Sequence, residues 1–249
     1  MATSFGALCT DFYINHKLAL KMDLPRDRET VLHFFDRMRK SLPEMSRFRR
    51  YDDELALEST RRDARYKWIA LCRNHIRAGH VNPEAMGEGY NYHKFILDLV
   101  PHFLTISPLD VDYLELLFGF DLECDGNHDE IIYQALYENS PLANLLGSEH
   151  GKVLDVQPAF GSTLNEAGNL QVYYEVKSRQ KSRRGSSKAY RDQPLSIFIT
   201  MRKYGPFDDI SELPGELKNL AAHAERLTLE NLIPNILQPI SRYISSPNQ

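Results

Sequence analysis

Two apolar stretches that each run directly into a helix signal constrain this chain most. "LCTDFYI", Leu8 to Ile14, stands about 101 positions before "LDVDYLE", Leu109 to Glu115, with Leu, Asp and an aromatic in register. "LALKMD", ending at Asp23, matches "FDLECD", ending at Asp125, after a one-residue slip. The elements after each strand also repeat. In the first half a helix over 27–40 carries Val31, Leu32, Phe35 and Met38 at helical spacing, with Asp27 and Glu29 in its first turn. "RYDDELALES", "RYKWIALCR" and "HIRAGHVNP" then read as strands. "YNYHKFILDLVPHFL" is helical, with Phe95, Ile96, Leu99 and Phe103 on one side and Pro101 weakening the last turn. In the second half "HDEIIYQALYEN" is helical, with Ile131, Ile132, Ala135 and Leu136 inward. "KVLDVQPAFGSTLN", "LQVYYEVKSR" and "PLSIFITMRKY" are strands, and Glu212 to Ile244 is helical with breaks at Pro234 and Pro239. Each half therefore reads β-α-β-β-β-α.

The fold class this predicts is α+β, a tandem duplication of one unit. Its sheets are mostly antiparallel and covered by helices, because a sheet with one apolar face needs a partner layer. The units are 1–106 and 107–249, the second holding a basic loop over 177–192 and long C-terminal helices. A continuous antiparallel sheet shared by the halves is the favoured packing, with a tyrosine-rich strand set (Tyr66, Trp68, Tyr173, Phe198, Tyr204) in the core.

At 42% hydrophobic and 26% charged residues the chain has a globular rather than a disordered composition. A formal net charge of −4 supplies no global attraction to nucleic acid or acidic membrane, so either would need a local patch. The stretch "MATSFGALCTDFY" has neither basic leader nor signal-length apolar run, and no segment approaches the roughly 20 apolar residues of a membrane span. Cys9, Cys72 and Cys124, odd in number and set in apolar surroundings, fit buried thiols in a reducing cytoplasm. The expected localisation is cytoplasmic.

"DLECDGNHDE", Asp121 to Glu130, is the densest cluster of potential ligands. It places Asp121, Glu123, Asp125, Asn127 and Asp129 on alternating calcium-loop positions, but Ile132 stands where a bidentate carboxylate is required. Strand alternation with polar side chains outward, a turn at Gly126 and a helix N-cap at Asn127 with Glu130 three residues on account for it instead. No metal site is expected. Nor do the histidines suggest one. His75 and His80 point to opposite strand faces, His93 and His102 lie apart on a helix, and His16, His128 and His150 fall in expected turns. There is no G-x-S-x-G elbow or phosphate loop, and "FGSTLNEAGN", with Ser162 and Thr163, reads as a hairpin. No catalytic residue and no cofactor is assigned.

The strongest shift in composition is "KSRQKSRRGSSKAYRD", Lys177 to Asp192. Arg179, Lys181, Arg183, Arg184 and Lys188 make it the one candidate site, for an anionic partner, although a solvated connection between strands is the favoured explanation. A second basic concentration, Arg47, Arg49, Arg50, Arg61, Arg62 and Arg65, is interleaved with Asp52, Asp53, Glu54, Glu58 and Asp63, which favours cross-strand ion pairing.

The stretches "SPLDVDYLELLFGFDLE", "GNHDEI" and "VLDVQPAFG" resemble conserved bacterial proteins of unknown function, over nearly the whole chain. That resemblance implies two similar α+β halves in a cytoplasmic bacterial protein, and brings no activity or site residue. The leading expectation is a non-catalytic binding or scaffold protein. It would hold a protein partner or small ligand on a concave sheet or between the units. Alternatives are a nucleic-acid-associated protein acting through the loop 177–192, and a hydrolase with a dispersed active site. No membrane association is expected.

Overall fold

The structure, a computed structural model, describes residues 5–60, 64–145, 151–178 and 193–246. Its strands are β1 (Asp11–Leu20), β2 (Met45–Arg50), β3 (Leu55–Ser59), β4 (Tyr66–Leu71), β5 (His75–Val81), β6 (Val111–Leu122), β7 (Ala159–Thr163), β8 (Leu170–Ser178) and β9 (Leu195–Tyr204). The helices are α1 (Arg28–Ser41), α2 (Met86–Leu104), α3 (His128–Tyr137), α4 (Leu213–Leu227) and α5 (Gln238–Ile244), the last two joined by a π-helical stretch, Thr228–Leu237. All nine strands form one sheet in the order β2-β3-β4-β5-β1-β6-β9-β8-β7, and every neighbouring pair is antiparallel. The α+β class and the continuous sheet are as the sequence suggests.

Helix starts follow their caps. The Asp27 carboxylate accepts from the Thr30 amide at 2.8 Å, and that hydrogen bond holds its pKa below the usual carboxylate value. Asn127 accepts from the Asp129 amide at 3.1 Å, directly after Gly126 at φ 95°. Glu130 makes no reciprocal bond to the cap and instead accepts from Gln134. α2 ends on Thr105 in the left-handed region at φ 56°, and Pro101 sits inside its last turn without stopping it.

Several expectations change. The first half holds four strands between its helices, because β2 precedes the three anticipated. Only its Met45 is buried, so "MSRFRR" shows no two-residue alternation to read. β1 is unbroken: His16, expected in a turn, pairs with Ala78 on one side and Leu116 on the other, and Asn15 beside it pairs with Gly79 and Leu117. On α1 the buried side chains are Val31, Phe34, Phe35 and Met38, and Leu32 lies one position off the stripe and is exposed. Pro234 does not break the terminal helix. The chain widens there to π geometry, which carries a residue lacking an amide donor within a continuous helix.

The helices lie on one side of the sheet. Phe12, Ile14, Leu18 and Leu20 of β1 and Leu114, Leu116, Phe118, Phe120 and Leu122 of β6 point to that side and are buried. Gly89 of α2 sits against Ile14, where an added Cβ would come within 2.6 Å of its Cδ1, and Tyr90 stacks on Phe118 at 6.5 Å. α4 covers β6 and β9. Phe5, in a single 3₁₀ turn, closes the end of this core against Phe12 and Phe120 at 5.6 and 5.9 Å. No helix long and apolar enough to cross a membrane occurs among the described residues.

Candidate functional site

The opposite side of the sheet carries no described helix. Strand register arranges its side chains in rows. One row runs Trp68, Gly79, Asn15, Leu117, Thr200, Tyr173 and Gly161, each the direct partner of the next. A second runs Arg77, Lys17, Glu115, Arg202 and Gln171. The strand aromatics anticipated in the core (Tyr66, Trp68, Tyr173, Phe198, Tyr204) all stand on this side, because they share the strand parity opposite to the helix-facing residues. Phe198 is buried among Tyr13, Val81, Leu117 and Tyr66; Trp68, Tyr173 and Tyr204 are half-buried.

Three cross-strand pairs share one device. Trp68 pairs with Gly79, Tyr13 with Gly119 and Tyr173 with Gly161. At each glycine an added Cβ would strike the ring of its partner; at Gly161 the contact with Tyr173 Cδ1 would be 2.8 Å. The rings therefore lie down across the strands rather than standing on them, which only a residue without a side chain permits. The Trp68 indole also lies beside Asn15 Oδ1, a buried acceptor without a hydrogen-bond partner among the described residues.

Cations lie against these rings. The Arg202 guanidinium is 4.6, 5.1 and 5.8 Å from the ring centres of Tyr113, Tyr173 and Tyr204, and donates to Glu115 Oε2 through Nε (2.9 Å) and Nη2 (2.6 Å). Burial opposes its charge, but the hydrogen bonds with Tyr204 and Glu115 outweigh this and raise its pKa. Arg77 lies 5.9 Å from Trp68 and is paired with Glu54; Lys177 lies 5.6 Å from Phe198 and 2.8 Å from Glu175. Lys17 lies over Tyr113 at 5.3 Å.

The sequence-predicted site residues Arg179, Lys181, Arg183, Arg184 and Lys188 lie outside the described residues. So do Arg61, Arg62 and Asp63, whereas Arg65 pairs with Glu84 rather than across the hairpin. At the base of the basic loop, Asp11, Asp121, Glu123, Asp125 and Gln193 line a cleft of about 490 Å³. Asp121 does not point to solvent as simple alternation implies. It is buried and accepts from Ser196 Oγ at 2.6 Å and Tyr13 Oη at 3.2 Å, because the strand continues between two neighbours at that point. Cys72 is buried, and Cys9 and Cys124 are half-buried; burial pushes Cys9 up to about 12 and Cys124 up to about 11. The expectation that all three are fully buried holds for Cys72 alone.

The histidines are more organised than their spacing indicates. His16, expected exposed, is buried on the helix side with its Nδ1 2.7 Å from His93 Nδ1, and His93 Nε2 lies 3.0 Å from the Ile14 carbonyl. His80 is buried nearby, 3.5 Å from Glu88. His128 is buried too, since it opens α3 on the inward side. Among the described residues no group of three or more His, Cys, Asp or Glu could hold a metal ion. The rows of the helix-free side are not legible in the sequence because they depend on register between strands distant in sequence. Isolated glycines inside strand patterns, at Gly79 and Gly119, were the available signal. No family model matches the chain, and no curated protein matches it.

Proposed function

We propose that the chain is a non-catalytic binding protein that holds a protein partner on the helix-free side of its sheet, around Trp68, Tyr173 and Arg202. The carrying observation is that flat rings over glycines, with guanidinium groups against them, occupy this side in aligned rows. Trp, Tyr and Arg are the residues that dominate protein–protein binding energy, and rings already fixed in place lose little entropy on association. Glu54, Glu115 and Glu175 accompany the cations, so the surface has both signs of charge, which suits a protein partner better than a phosphate track.

The proposal includes a cytoplasmic setting, kinship with the bacterial family noted above, and an origin of 1–106 and 107–249 as copies of one unit. An offset of 102 places Phe12, Ile14, Leu18 and Leu20 on Leu114, Leu116, Phe120 and Leu122, all helix-facing, which supports that origin. The offset of 101 sets Phe12 against Tyr113, which face opposite sides. The added strand β2 is then particular to the first copy.

The test is partner capture followed by calorimetry on the identified partner. Trp68→Ala, Tyr173→Ala and Arg202→Ala are each expected to weaken binding about 10- to 100-fold, and Leu32→Ala, on the exposed side of α1, to leave it unchanged. Turnover in an unbiased substrate screen, or a partner whose affinity ignores all three substitutions, overturns the reading.

A further inference from the structure

The two edges of the sheet are built differently. β2 carries Arg47, Arg49 and Arg50 among its six residues and has a register irregularity between Met45 and Arg47, both of which discourage a strand from adding to it. β7, "AFGST", carries no charge, and all five residues are exposed. Leu164 N–H bonds the Leu170 carbonyl at 2.8 Å and Val176 N–H bonds the Pro158 carbonyl at 3.0 Å. Antiparallel bonding alternates along a strand. Phe160 and Ser162 therefore use their backbone groups on β8, while Ala159, Gly161 and Thr163 turn theirs outward. None of those outward groups hydrogen-bonds another described residue.

The chain leading into β7 also carries exposed apolar side chains. Leu142, Leu145 and Leu154, in the connection from α3 to β7, are 49%, 69% and 76% exposed, and Phe160 itself is 56% exposed. Beside Phe160 on the helix side, Leu136, Tyr174, Pro234 and Ile236 line a cleft of about 560 Å³. A neutral open edge flanked by exposed apolar surface is the usual form of a buried interface rather than a solvated rim.

We infer that β7 is a homodimer edge, pairing antiparallel with β7 of a second copy about a two-fold axis at Gly161. Symmetric pairing sets each residue against its counterpart across the axis: Gly161 against Gly161, Phe160 against Ser162, and Ala159 against Thr163. A strand meeting its own image opposes its own charges, and β7 has none, whereas β2 paired with itself would bring arginines together. Each copy's Phe160 would lie along the other's cleft, and the two nine-stranded sheets would become one. The inference does not depend on what the helix-free side binds.

Sedimentation of the full chain at about 100 μM, far above typical specific dissociation constants, is expected to give the mass of two chains. The double variants Phe160→Glu/Ser162→Glu and Phe160→Lys/Ser162→Lys are each expected to sediment as monomers, since each opposes like charges across the axis. An equimolar mixture of the two should return to dimer, as should Phe160→Glu/Ser162→Lys alone, because Glu then faces Lys at both positions. Recovery of the dimer on mixing cannot come from unfolded chains. A wild-type monomer, dimers that survive both like-charge variants, or a mixture that stays monomeric overturns the inference.

Discussion

The His16–His93 pair assigns its own protons. His93 Nε2 faces the Ile14 carbonyl, which only accepts, so Nε2 carries hydrogen and Nδ1 is a lone pair. His16 must then donate from Nδ1, which leaves its Nε2 a buried lone pair without a partner among the described residues. Nitrogen-15 chemical shifts are expected to show the Nδ1–H tautomer for His16 and the Nε2–H tautomer for His93. Burial lowers His16 to about 3, His93 well below its ordinary value, and His80 to about 4, with Glu88 partly opposing the last. The native state keeps these rings neutral, while the unfolded chain protonates them below about 6.5. Their contribution is thus complete above that pH and is lost as pH falls through the window between about 6.5 and 3. Each ring contributes a slope of up to about 1.4 kcal/mol per pH unit between the unfolded value and its own lowered native value, which is about 3 for His16 and about 4 for His80. Urea unfolding from pH 8 to pH 5 should show the loss, and His93→Phe should flatten the slope while lowering stability at pH 8 by about 1–3 kcal/mol through the orphaned His16 donor.

Among the elements, the ring-over-glycine pairs make a sharp prediction. Gly79→Ala puts a methyl where the Trp68 indole lies, so the ring must lift. The expected cost is about 1–3 kcal/mol in denaturant unfolding, with a red shift in emission. Trp68 is the sole tryptophan, so the shift reports this site alone. Combined with Trp68→Ala the cost should be less than additive, because the clash with the ring is then gone and only that with Asn15 Oδ1 remains. Helices were largely legible because their signals are local: Asn127 caps where expected, Asp27, expected in the first turn, caps α1 one position earlier, and the inward stripes of α1 and α3 fall within a residue or so of their reading. β2 was not legible, since an edge strand exposed on both sides has no pattern to betray it. His16 misled for a related reason. Between Asn15 and Lys17 it reads as a polar break, and only α2, some 77 residues away, supplies the partner that makes it a core residue. The rows of the helix-free side are a property of pairing between strands, and a single strand read alone does not contain them.

At the scale of the molecule, β1 and β6 pair side by side at the centre of the sheet, and their helix-facing side chains belong to one apolar core that runs through both halves. Separate expression of 1–106 and 107–249 is therefore expected to yield insoluble chains, each with a long apolar strand at an unprotected edge, and co-expression to restore soluble, cooperative folding. Circular dichroism and thermal melting of the separate and joined fragments check this. The central position of β1 also has a temporal meaning. β1 is the first of the described strands, yet its two neighbours begin only at His75 and Val111. At roughly 5–20 residues per second, the ribosome finishes Leu20 about 5–20 s before β6 starts to emerge. Throughout that interval Phe12, Ile14 and Leu18 have nothing to pair with on at least one flank. The nascent chain must be sheltered at β1 until β6 has been made, and folding from denaturant should be slow for the same reason of sequence distance.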